Sequence, residues 1–395
     1  MVTGAGVTEI FGVSHTPASL AERSGTLAQF GGVRLSTLVD GVGCVTRVLD
    51  FNTGSGLHFT VNVDRAMDIG ALSHSGRAIG WQSAAGTRHP AFNDQREDNG
   101  LGWNRSFSGC LATCGLDHIL GPETVADASG RTVSHGLHGR IANTPARLTG
   151  YGETWQGERC ILWAEGVVTQ AALFGEVLRL ERRIEVDLGG NGLCITDNVS
   201  NGGFEPTAHM LLYHVNLGYP LIDAESRYIA PINSVIHATH RERGLNAQGV
   251  GYRRCPAPIR GFREQVWQHD MACDAEGMVP VAVANDRLGL GVLVQTAQKA
   301  LPCALQWQNF QAGQYVMGIE AATHHVKGNG FARDRGEMIW LGAGETRSYQ
   351  MRISVLDGAQ AIAAEEGRIR ALAVQPDEDY PVPTDRFPPL RRAGS

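Results

Sequence analysis

Hydrophobic and polar residues alternate over long stretches of the chain from about residue 30 onward. Residues 57–64 place Leu, Phe, Val and Val at every second position, with His, Thr, Asn and Asp between them. Successive side chains of a β-strand point to opposite faces, so this pattern is typical of a strand with one buried face. Residues 178–188 alternate in the same way, although Arg182 interrupts the apolar row. The chain therefore has a marked β character.

Two segments combine this alternation with a glycine-rich turn. The first runs over residues 178–199 with its turn at 189–192, and the second runs over 338–355 with its turn at 342–344. Alternating stretches joined by such a turn predict β-hairpins. Further buried strands are predicted at 210–215 and 288–294.

One helix is predicted near the end of the chain, from Ala359 to about Ala373, where Ala, Glu and Arg dominate. Strands do not alternate with helices elsewhere, which argues against a parallel doubly wound sheet. No short internal repeat of the propeller or solenoid kind is present. The sequence therefore predicts an all-β protein of antiparallel sheets with a C-terminal helix.

The chain contains no proline-rich or serine-rich linker between residues 30 and 358. We therefore predict a single domain over residues 31–374. A loosely ordered N-terminal segment is expected at 1–30 and a mobile tail at 375–395.

The composition is that of a globular protein, with 43% hydrophobic and 19% charged residues. A net charge of only -6 offers no reason to expect nucleic acid or a membrane surface as a partner. The eight cysteines are scattered, and neither a signal peptide nor a membrane-spanning apolar run is found. We therefore predict a cytoplasmic protein with free thiols.

Motifs for nucleotide binding, serine hydrolases and zinc proteases are missing from the sequence. Instead, short clusters rich in His, Arg, Asn and Trp follow the predicted strands. Sugar hydroxyls both donate and accept hydrogen bonds, and an aromatic ring such as Trp103 or Trp307 can cover the C–H face of a sugar. Such clusters are therefore typical of a carbohydrate site. They lie at 102–105, 115–118, 135–145, 212–218 and 317–323.

At these clusters the chain resembles the aldose 1-epimerase, or galactose mutarotase-like, superfamily. Within it, the chain is most similar to the branch known as domain of unknown function 4432. The resemblance implies a β-supersandwich with the sugar lying across one concave sheet. The ordered motifs span roughly residues 30–355 and are Cys-Gly-Leu-Asp at 114–117, Leu-His-Gly-Arg-Ile-Ala-Asn-Thr-Pro-Ala at 137–146, Tyr-His-Val-Asn-Leu-Gly at 213–218 and Gly-Ile-Glu at 318–320.

The resemblance also implies roles for particular residues. The general acid of mutarotases, a His in a strand motif, corresponds to His214, and the general base, a late Glu, corresponds to Glu320. The His that binds sugar hydroxyls corresponds to His138. The early Asn-Arg pair of the family corresponds best to Asn104 and Arg105, with Arg77 as a competing match. The further sugar-binding candidates are Asn216, Trp103, His118 and Arg140.

The strand motif departs from the usual mutarotase pattern, His-x-Tyr-Phe-Asn-Leu. Here the sequence after His214 is Val-Asn-Leu, and a tyrosine, Tyr213, precedes the histidine instead. This departure leaves open which sugar is bound and which carbon reacts.

The chemistry itself needs only two titratable groups. To interconvert anomers, one group removes the proton of O1 while another protonates the ring oxygen, and the opened sugar closes on its other face. A carboxylate and an imidazole suit these steps because both can be tuned near neutral pH. We therefore predict that the protein acts on a monosaccharide without a metal or a cofactor; a homo-oligomer is compatible with the sequence.

Three alternatives remain open at this point. The same base could epimerise a keto sugar at the carbon beside the carbonyl, with a divalent metal held by His and carboxylate groups. The protein could also bind sugar without catalysis, which we expect if His214 and Glu320 do not face one another across a pocket as wide as a sugar ring. Finally, these residues have structural interpretations: a hydrogen-bonded core histidine, a buried ion pair, and loop-bracing roles for His138 and Arg140.

Overall fold

The structure of the protein is a computed structural model that describes residues 7–126, 130–239, 249–376 and 381–390. Most of the described residues with regular structure lie in β-strands. The strands are β1 (Thr8–Ile10), β2 (Val13–His15), β3 (Gly32–Thr37), β4 (Arg47–Asn52), β5 (Leu57–Asn62), β6 (Asp68–His74), β7 (Arg77–Ala78), β8 (Leu111–Leu116), β9 (Glu123–Ala126), β10 (Thr132–His135), β11 (Arg147–Gln156), β12 (Arg159–Ala171), β13 (Val177–Asp187), β14 (Gly192–Asn201), β15 (Thr207–Gly218), β16 (Arg227–Ile229), β17 (Ile232–Ala238), β18 (Gln265–Met271), β19 (Met278–Asn285), β20 (Leu290–Ala297), β21 (Cys303–Asn309), β22 (Val316–Ala322), β23 (Ile339–Leu341) and β24 (Thr346–Asp357).

The helices of the described residues are short and few. They are α1 (Pro17–Ala21), α2 (Glu97–Gly100), α3 (Gly328–Asp334) and α4 (Ala359–Arg370). The predicted C-terminal helix is thus confirmed. It packs Ile362 and Ile369 against Leu293 on the outside of a sheet. None of the helices in the described part of the chain is long and apolar enough to cross a membrane.

The strands form three main antiparallel sheets, which confirms the predicted fold class. The eight-stranded sheet has the order β11-β12-β13-β14-β24-β20-β19-β16, and the five-stranded sheet runs β3-β4-β5-β6-β7. The seven-stranded sheet consists of β17-β18-β21-β22-β15-β23, with β8 also paired to β15. Two small hairpins, β1-β2 and β9-β10, complete the described strands.

One continuous hydrophobic core joins the three sheets. Its residues alternate along the strands, as the sequence pattern predicts, with outward-facing polar residues between them. The ring of Phe51 stacks on Phe59 within the five-stranded sheet, with ring centroids 4.6 Å apart. Representative members from the other sheets are Leu180, Ile184, Met351, Tyr213 and Ile319.

The first predicted hairpin is confirmed and the second is wrong. Strands β13 and β14 pair directly, with Leu180 opposite Val199. In contrast, β23 pairs with β15, whereas β24 pairs with β14 and β20, so residues 342–344 carry the chain from one sheet to another. Asn201 fixes this corner, because its Nδ2 donates to Leu341 O at 2.9 Å and its carbonyl accepts from Gly344 N at 2.9 Å.

Arg182, which interrupts the apolar row of β13, points into the core and is 1% exposed. Its guanidinium donates to Asp68 at 2.8 Å and to Asp197 at 2.6 Å, and the Tyr213 hydroxyl also donates to Asp197 at 2.6 Å. A buried charge requires such partners, because desolvation is otherwise too costly. The interruption in the pattern therefore marks a buried ionic network that joins the sheets beneath Tyr213.

The two ends of the chain differ from the expectation of little order. Residues 8–15 form the hairpin β1-β2, and Thr16 caps helix α1. Near the other end, Thr384 and Asp385 donate backbone hydrogen bonds to β17, and Leu390 packs against buried apolar residues. Apolar residues in both segments contact the body of the protein. The proposed division into one domain with two flanking segments remains a prediction.

Candidate functional site

His214 and Glu320 lie side by side on neighbouring strands of the seven-stranded sheet. They occupy directly opposed positions of β15 and β22. The distance between His214 Nε2 and Glu320 Oε1 is 3.3 Å. Two residues about a hundred positions apart in the sequence are therefore adjacent in one sheet, whereas the sequence analysis expects them on either side of a sugar-binding pocket.

The pair points away from the main core. On β15, Tyr213 and Val215 face the core shared by the sheets, whereas His214 projects from the other face together with Leu212. The nearest cross-strand neighbours are small or apolar, since Ala112 lies opposite His214 and Leu305 lies opposite Glu320. Both side chains are buried, with 3% of His214 and 4% of Glu320 exposed.

Gly318, two residues before Glu320, provides the space for the imidazole ring. A Cβ atom at this position would lie 2.9 Å from His214 Cε1 and 3.2 Å from Trp307 Cβ. Any larger residue would therefore push the imidazole or the indole out of place. The Gly-Ile-Glu motif thus combines the carboxyl group with the room that its partner needs.

Three aromatic side chains cover the pair. The ring centroid of Phe107 lies 5.0 Å from that of His214, and the centroids of Trp307 and Trp103 lie 5.3 and 6.1 Å away. Phe107 also stacks on Trp103 at 4.1 Å. The sequence predicts a polar hollow, but the structure places the two polar groups under an aromatic wall.

His138 completes this group and is held in place by its loop. The residue adopts φ 58°, and its Nδ1 accepts from Leu120 N at 3.3 Å. The following Gly139 has φ 73°, and a Cβ there would lie 2.3 Å from Gly115 O, so glycine is required. The ring of His138 packs 4.6 Å from Trp103 and 5.8 Å from His214. We term His214, Glu320, His138, Trp103, Phe107 and Trp307 the His214 site.

Burial changes the proton affinity of the central pair in opposite directions. Loss of solvent raises the pKa of Glu320 to about 8, and the nearby Glu264 adds to this increase. Loss of solvent lowers the pKa of His214 to about 3, although the Asn216 side chain has a smaller opposing effect. At pH 7 the proton therefore resides on the carboxyl group and the imidazole is neutral.

The site also contains polar atoms without partners. Among the described residues, no hydrogen bond of 3.5 Å or less reaches His214 Nδ1, Trp103 Nε1 or Asn216 Oδ1, although all three atoms are buried. Unpaired buried polar atoms are rare because each costs about 1–3 kcal/mol. Unpaired atoms of this kind also occur elsewhere among the described residues, and those of His214 and Trp103 are available to the hydroxyl groups of a ligand.

Two further predicted residues support the site rather than line it. Asn216 Nδ2 donates to the carbonyls of Gly109 and His214, which fixes the strand next to the histidine. His118 Nε2 lies 2.8 Å from Gly121 O, and its ring stacks on His135 with centroids 4.8 Å apart. The structure therefore gives His118 a bracing position in the loop that precedes β9.

The structure places the predicted arginines in ion pairs outside the His214 site. Arg77 donates to Asp357 at 2.7 Å and Arg105 donates to Asp98 at 2.8 Å. Arg140 lies 3.3 Å from Asp117. Asn104 is exposed beside Arg105. The sequence contains too many polar surface arginines for their type alone to identify a ligand-binding one, and a sugar-binding role for these four residues remains a prediction.

Two residues of this region were not predicted. Phe107 lies in a loop between a short helical turn and β8, where no periodic pattern marks it as buried. Glu264 precedes β18, and its Oε2 accepts from Trp307 Nε1 at 3.0 Å. The sequence offers no signal for either residue, because both are close to His214 only through the folding of distant segments.

Within the described ranges, no group of three or more His, Cys, Asp or Glu side chains is arranged to hold a metal. The described thiols are likewise separate and form no disulfide.

Several solved structures with a similar fold carry names of the mutarotase-like class. A candidate aldose 1-epimerase from Klebsiella pneumoniae is 24% identical, with 86% of this chain and 87% of that chain covered and a TM-score of 0.77. A galactose mutarotase-like protein from Clostridium acetobutylicum is 12% identical, with 83% and 99% covered and a TM-score of 0.57. Galactose 1-epimerase from Lactobacillus acidophilus is 13% identical, with 82% and 99% covered and a TM-score of 0.51. These similarities establish the galactose mutarotase-like fold.

The family of the chain follows from its sequence. The model of the family described as a domain of unknown function, DUF4432, matches residues 43–355. Because this match spans most of the chain, the protein belongs to the DUF4432 family. The chain has no match among curated proteins.

Proposed function

We propose that the protein is a carbohydrate-active isomerase that interconverts the anomers of a free sugar at the His214 site. The observation that carries this proposal is the contact between a buried imidazole and a buried carboxyl group at 3.3 Å. The galactose mutarotase-like fold and the names of its solved relatives support the choice of a sugar as substrate.

The protonation states of Glu320 and His214 suit the proposed ring opening. Ring opening needs one group without a proton to accept from O1–H and one group with a proton to donate to the ring oxygen. With the carboxyl group of Glu320 protonated and His214 neutral, the pair carries one proton and supplies both groups at once.

The reaction then proceeds without net change in the protein. His214 accepts the O1 proton, the bond between C1 and the ring oxygen breaks, and Glu320 protonates that oxygen. These roles are the reverse of those that the resemblance implies, because burial favours the proton on Glu320 over His214. Rotation about the C1–C2 bond exposes the other face of the aldehyde. On closure both proton transfers run in reverse, so each residue acts as acid in one direction and as base in the other.

The two groups do not face each other across a pocket as wide as a sugar ring, an arrangement that the sequence analysis assigns to a protein that binds sugar without catalysis. They are adjacent instead, with only 3.3 Å between the nearest atoms. Adjacent groups suit anomeric chemistry because O1 and the ring oxygen are both bonded to C1. A sugar whose C1 lies above the pair presents both oxygens on one side, which removes the need for a gap between the residues.

A substrate must displace part of the aromatic wall to reach the pair. Phe107 is the residue in the way, because its ring lies within 6 Å of those of His214, Trp103, Trp81 and Trp307. In this proposal the Phe107 ring swings aside as the sugar binds. The indole rings that remain then cover the C–H face of the sugar.

Anomer exchange measured by NMR tests the function. We expect catalytic amounts of the protein to accelerate exchange between the anomers of at least one sugar in a panel of aldoses and ketoses. In deuterated water, no deuterium should enter the carbon skeleton, since ring opening breaks no C–H bond. A panel without any accelerated sugar would exclude the proposed activity.

The pH dependence of exchange is a second expected result. The active pair has one proton, which is lost above the pKa of about 8 for Glu320, while a second proton binds below about 3 at His214. The protein-dependent rate should therefore be level from about pH 4 to 7 and fall above pH 8. Ordinary pKa values would give a different profile, with the rate declining already above about pH 6.5. A decline between pH 6 and 7 contradicts the proposed proton distribution.

Epimerisation at a carbon beside the carbonyl is the second candidate, and one observation favours it. A carboxylate whose pKa is raised to about 8 is a stronger base than an ordinary one, which suits removal of a proton from carbon. Incorporation of deuterium at one carbon would distinguish this reaction from ring opening. Sugar binding with neither exchange nor incorporation would instead support a binding protein.

A further inference from the structure

A cavity lies on the face of the seven-stranded sheet that carries His214, near the start of β15. Its volume is about 380 Å³, and Ala208 of β15 and its cross-strand partner Trp340 of β23 belong to its walls. Ala208 and His214 are six positions apart, so they project from the same face at a separation of about 20 Å along the strand. The cavity is therefore distinct from the His214 site. We term it the Trp340 cavity, and its other walls include Phe174, Asp117, Glu176, His135 and Arg333.

Exposed aromatic residues form the rim of this cavity. Phe174 is 84% exposed and Trp340 is 39% exposed. The Arg333 guanidinium lies over the indole of Trp340, with 5.1 Å to the ring centroid, and donates to Asn329 Oδ1 at 2.6 Å. Leu173, next to Phe174, and Phe204, next to the cavity residue Glu205, are also exposed. Large apolar side chains that remain exposed around a cavity indicate a surface that contacts a ligand.

The floor of the cavity is polar and rigid. One amide group, Gln170 Nε2, donates to Asp117 at 2.8 Å and to Glu176 at 3.2 Å. Arg140 lies within 4 Å of both carboxylates. These contacts fix the carboxylate oxygens in position without using all of their acceptor capacity.

His135 adds an imidazole that the proposed reaction at His214 does not use. Its Nδ1 lies 3.5 Å from Asp117 Oδ2. Burial lowers the pKa of His135 to about 3, and His118 and Arg140 contribute to the same effect. The ring is therefore neutral at pH 7 and offers one donor and one acceptor.

The balance of charges indicates the class of ligand. Two cationic side chains, Arg131 and Arg333, and three anionic ones, Asp117, Glu176 and Glu205, line the cavity. Such a mixture gives no strong preference for an anion or a cation. Intermixed donors and acceptors beside aromatic rings instead match a neutral ring with several hydroxyl groups, and the volume is within the range of about 300–1,000 Å³ typical of ligand pockets.

We propose that the Trp340 cavity binds a neutral sugar ring, separate from the sugar that reacts at the His214 site. One loop contacts both places, because His135 lines the cavity and His138 belongs to the His214 site. Binding at the cavity requires no proton transfer, so this inference holds whether or not the His214 site is catalytic.

Fluorine NMR of protein labelled with 5-fluorotryptophan tests the inference. Trp340→Phe assigns the resonance of Trp340 among the seven tryptophans. Methyl glycosides are suitable probes, because their methylated O1 prevents ring opening. We expect at least one to shift the Trp340 resonance saturably. Phe174→Ala, a change at an exposed position, should weaken this binding about tenfold, as expected when one aromatic contact is removed.

Trp163 provides the matched control. Arg183 lies over its ring at 5.1 Å, as Arg333 does over Trp340, but Trp163 is on β12 outside the cavity. Its resonance should not move, and Trp163→Ala should leave binding unchanged. Glu320→Gln should also leave the Trp340 response intact, which separates this inference from the proposed reaction. The inference is wrong if no glycoside moves the Trp340 resonance up to its solubility limit, or if both tryptophans respond equally.

Discussion

Replacement of Glu320 by glutamine should slow protein-dependent anomer exchange by at least about 10²-fold, the usual contribution of a positioned acid or base. The amide keeps the size and hydrogen-bonding shape of the protonated carboxyl group but can neither donate a proton to the ring oxygen nor accept it back. Because the native side chain is uncharged when protonated, the fold should tolerate the change. Exchange NMR on the sugar found in the panel measures the effect.

Glu181→Gln is the control for this experiment. Glu181 lies on the solvent side of β13 and pairs with Arg179 at 2.7 Å, with about half of its side chain exposed. Loss of this exposed ion pair should leave the anomer exchange rate and the midpoint of thermal unfolding nearly unchanged. Exchange at the native rate in Glu320→Gln, with the fold confirmed by circular dichroism, would remove this carboxyl group from the mechanism.

The largest effect on stability is expected for Arg182→Met. The substitution keeps the side chain long but leaves Asp68 and Asp197 buried without their shared cation. Breaking a buried ion pair by removing one partner typically costs about 3–5 kcal/mol. Urea denaturation should show this loss.

The next residue, Arg183, provides the control for Arg182→Met. Arg183 points to the opposite face of β13, where it forms partly exposed ion pairs with Glu165 and Glu185. Surface pairs of this kind contribute about 0–1 kcal/mol, so Arg183→Met should have little effect. If the two variants lost equal stability, the buried network would not be the feature that stabilises the core.

These two arginines illustrate how much of the fold the sequence predicts. Alternation identifies β13 and β14 because each of their faces has one environment along its whole length. It does not reveal the partners of Arg182, since Asp68 is more than a hundred residues away. The wrong hairpin at 338–355 has the same origin: a glycine turn between two strands is compatible with a hairpin and with a corner between sheets. Only the pairing partners, which are distant in sequence, distinguish the two.

The candidate site, like the fold, is predictable from the sequence only in part. His214 and Glu320 are predictable because each lies in a motif that resembles one of the mutarotase-like superfamily. Phe107 and Glu264 lie in no recognisable motif. They reach the site from loops whose conformations depend on the whole fold. Arg77 and Arg105 match the expected residue type, but their nearby carboxylates, Asp357 and Asp98, determine where they point.

The central claim is that the imidazole and the carboxyl group act as one unit that passes a single proton. A double-mutant cycle of exchange rates in the native protein, His214→Gln, Glu320→Gln and the variant carrying both changes tests it most directly. If the pair is one unit, the double variant should be no slower than the slower single variant, because removing either group already stops the coupled transfer. Rate losses that multiply in the double variant would contradict this account, since they would mean that the two residues act independently.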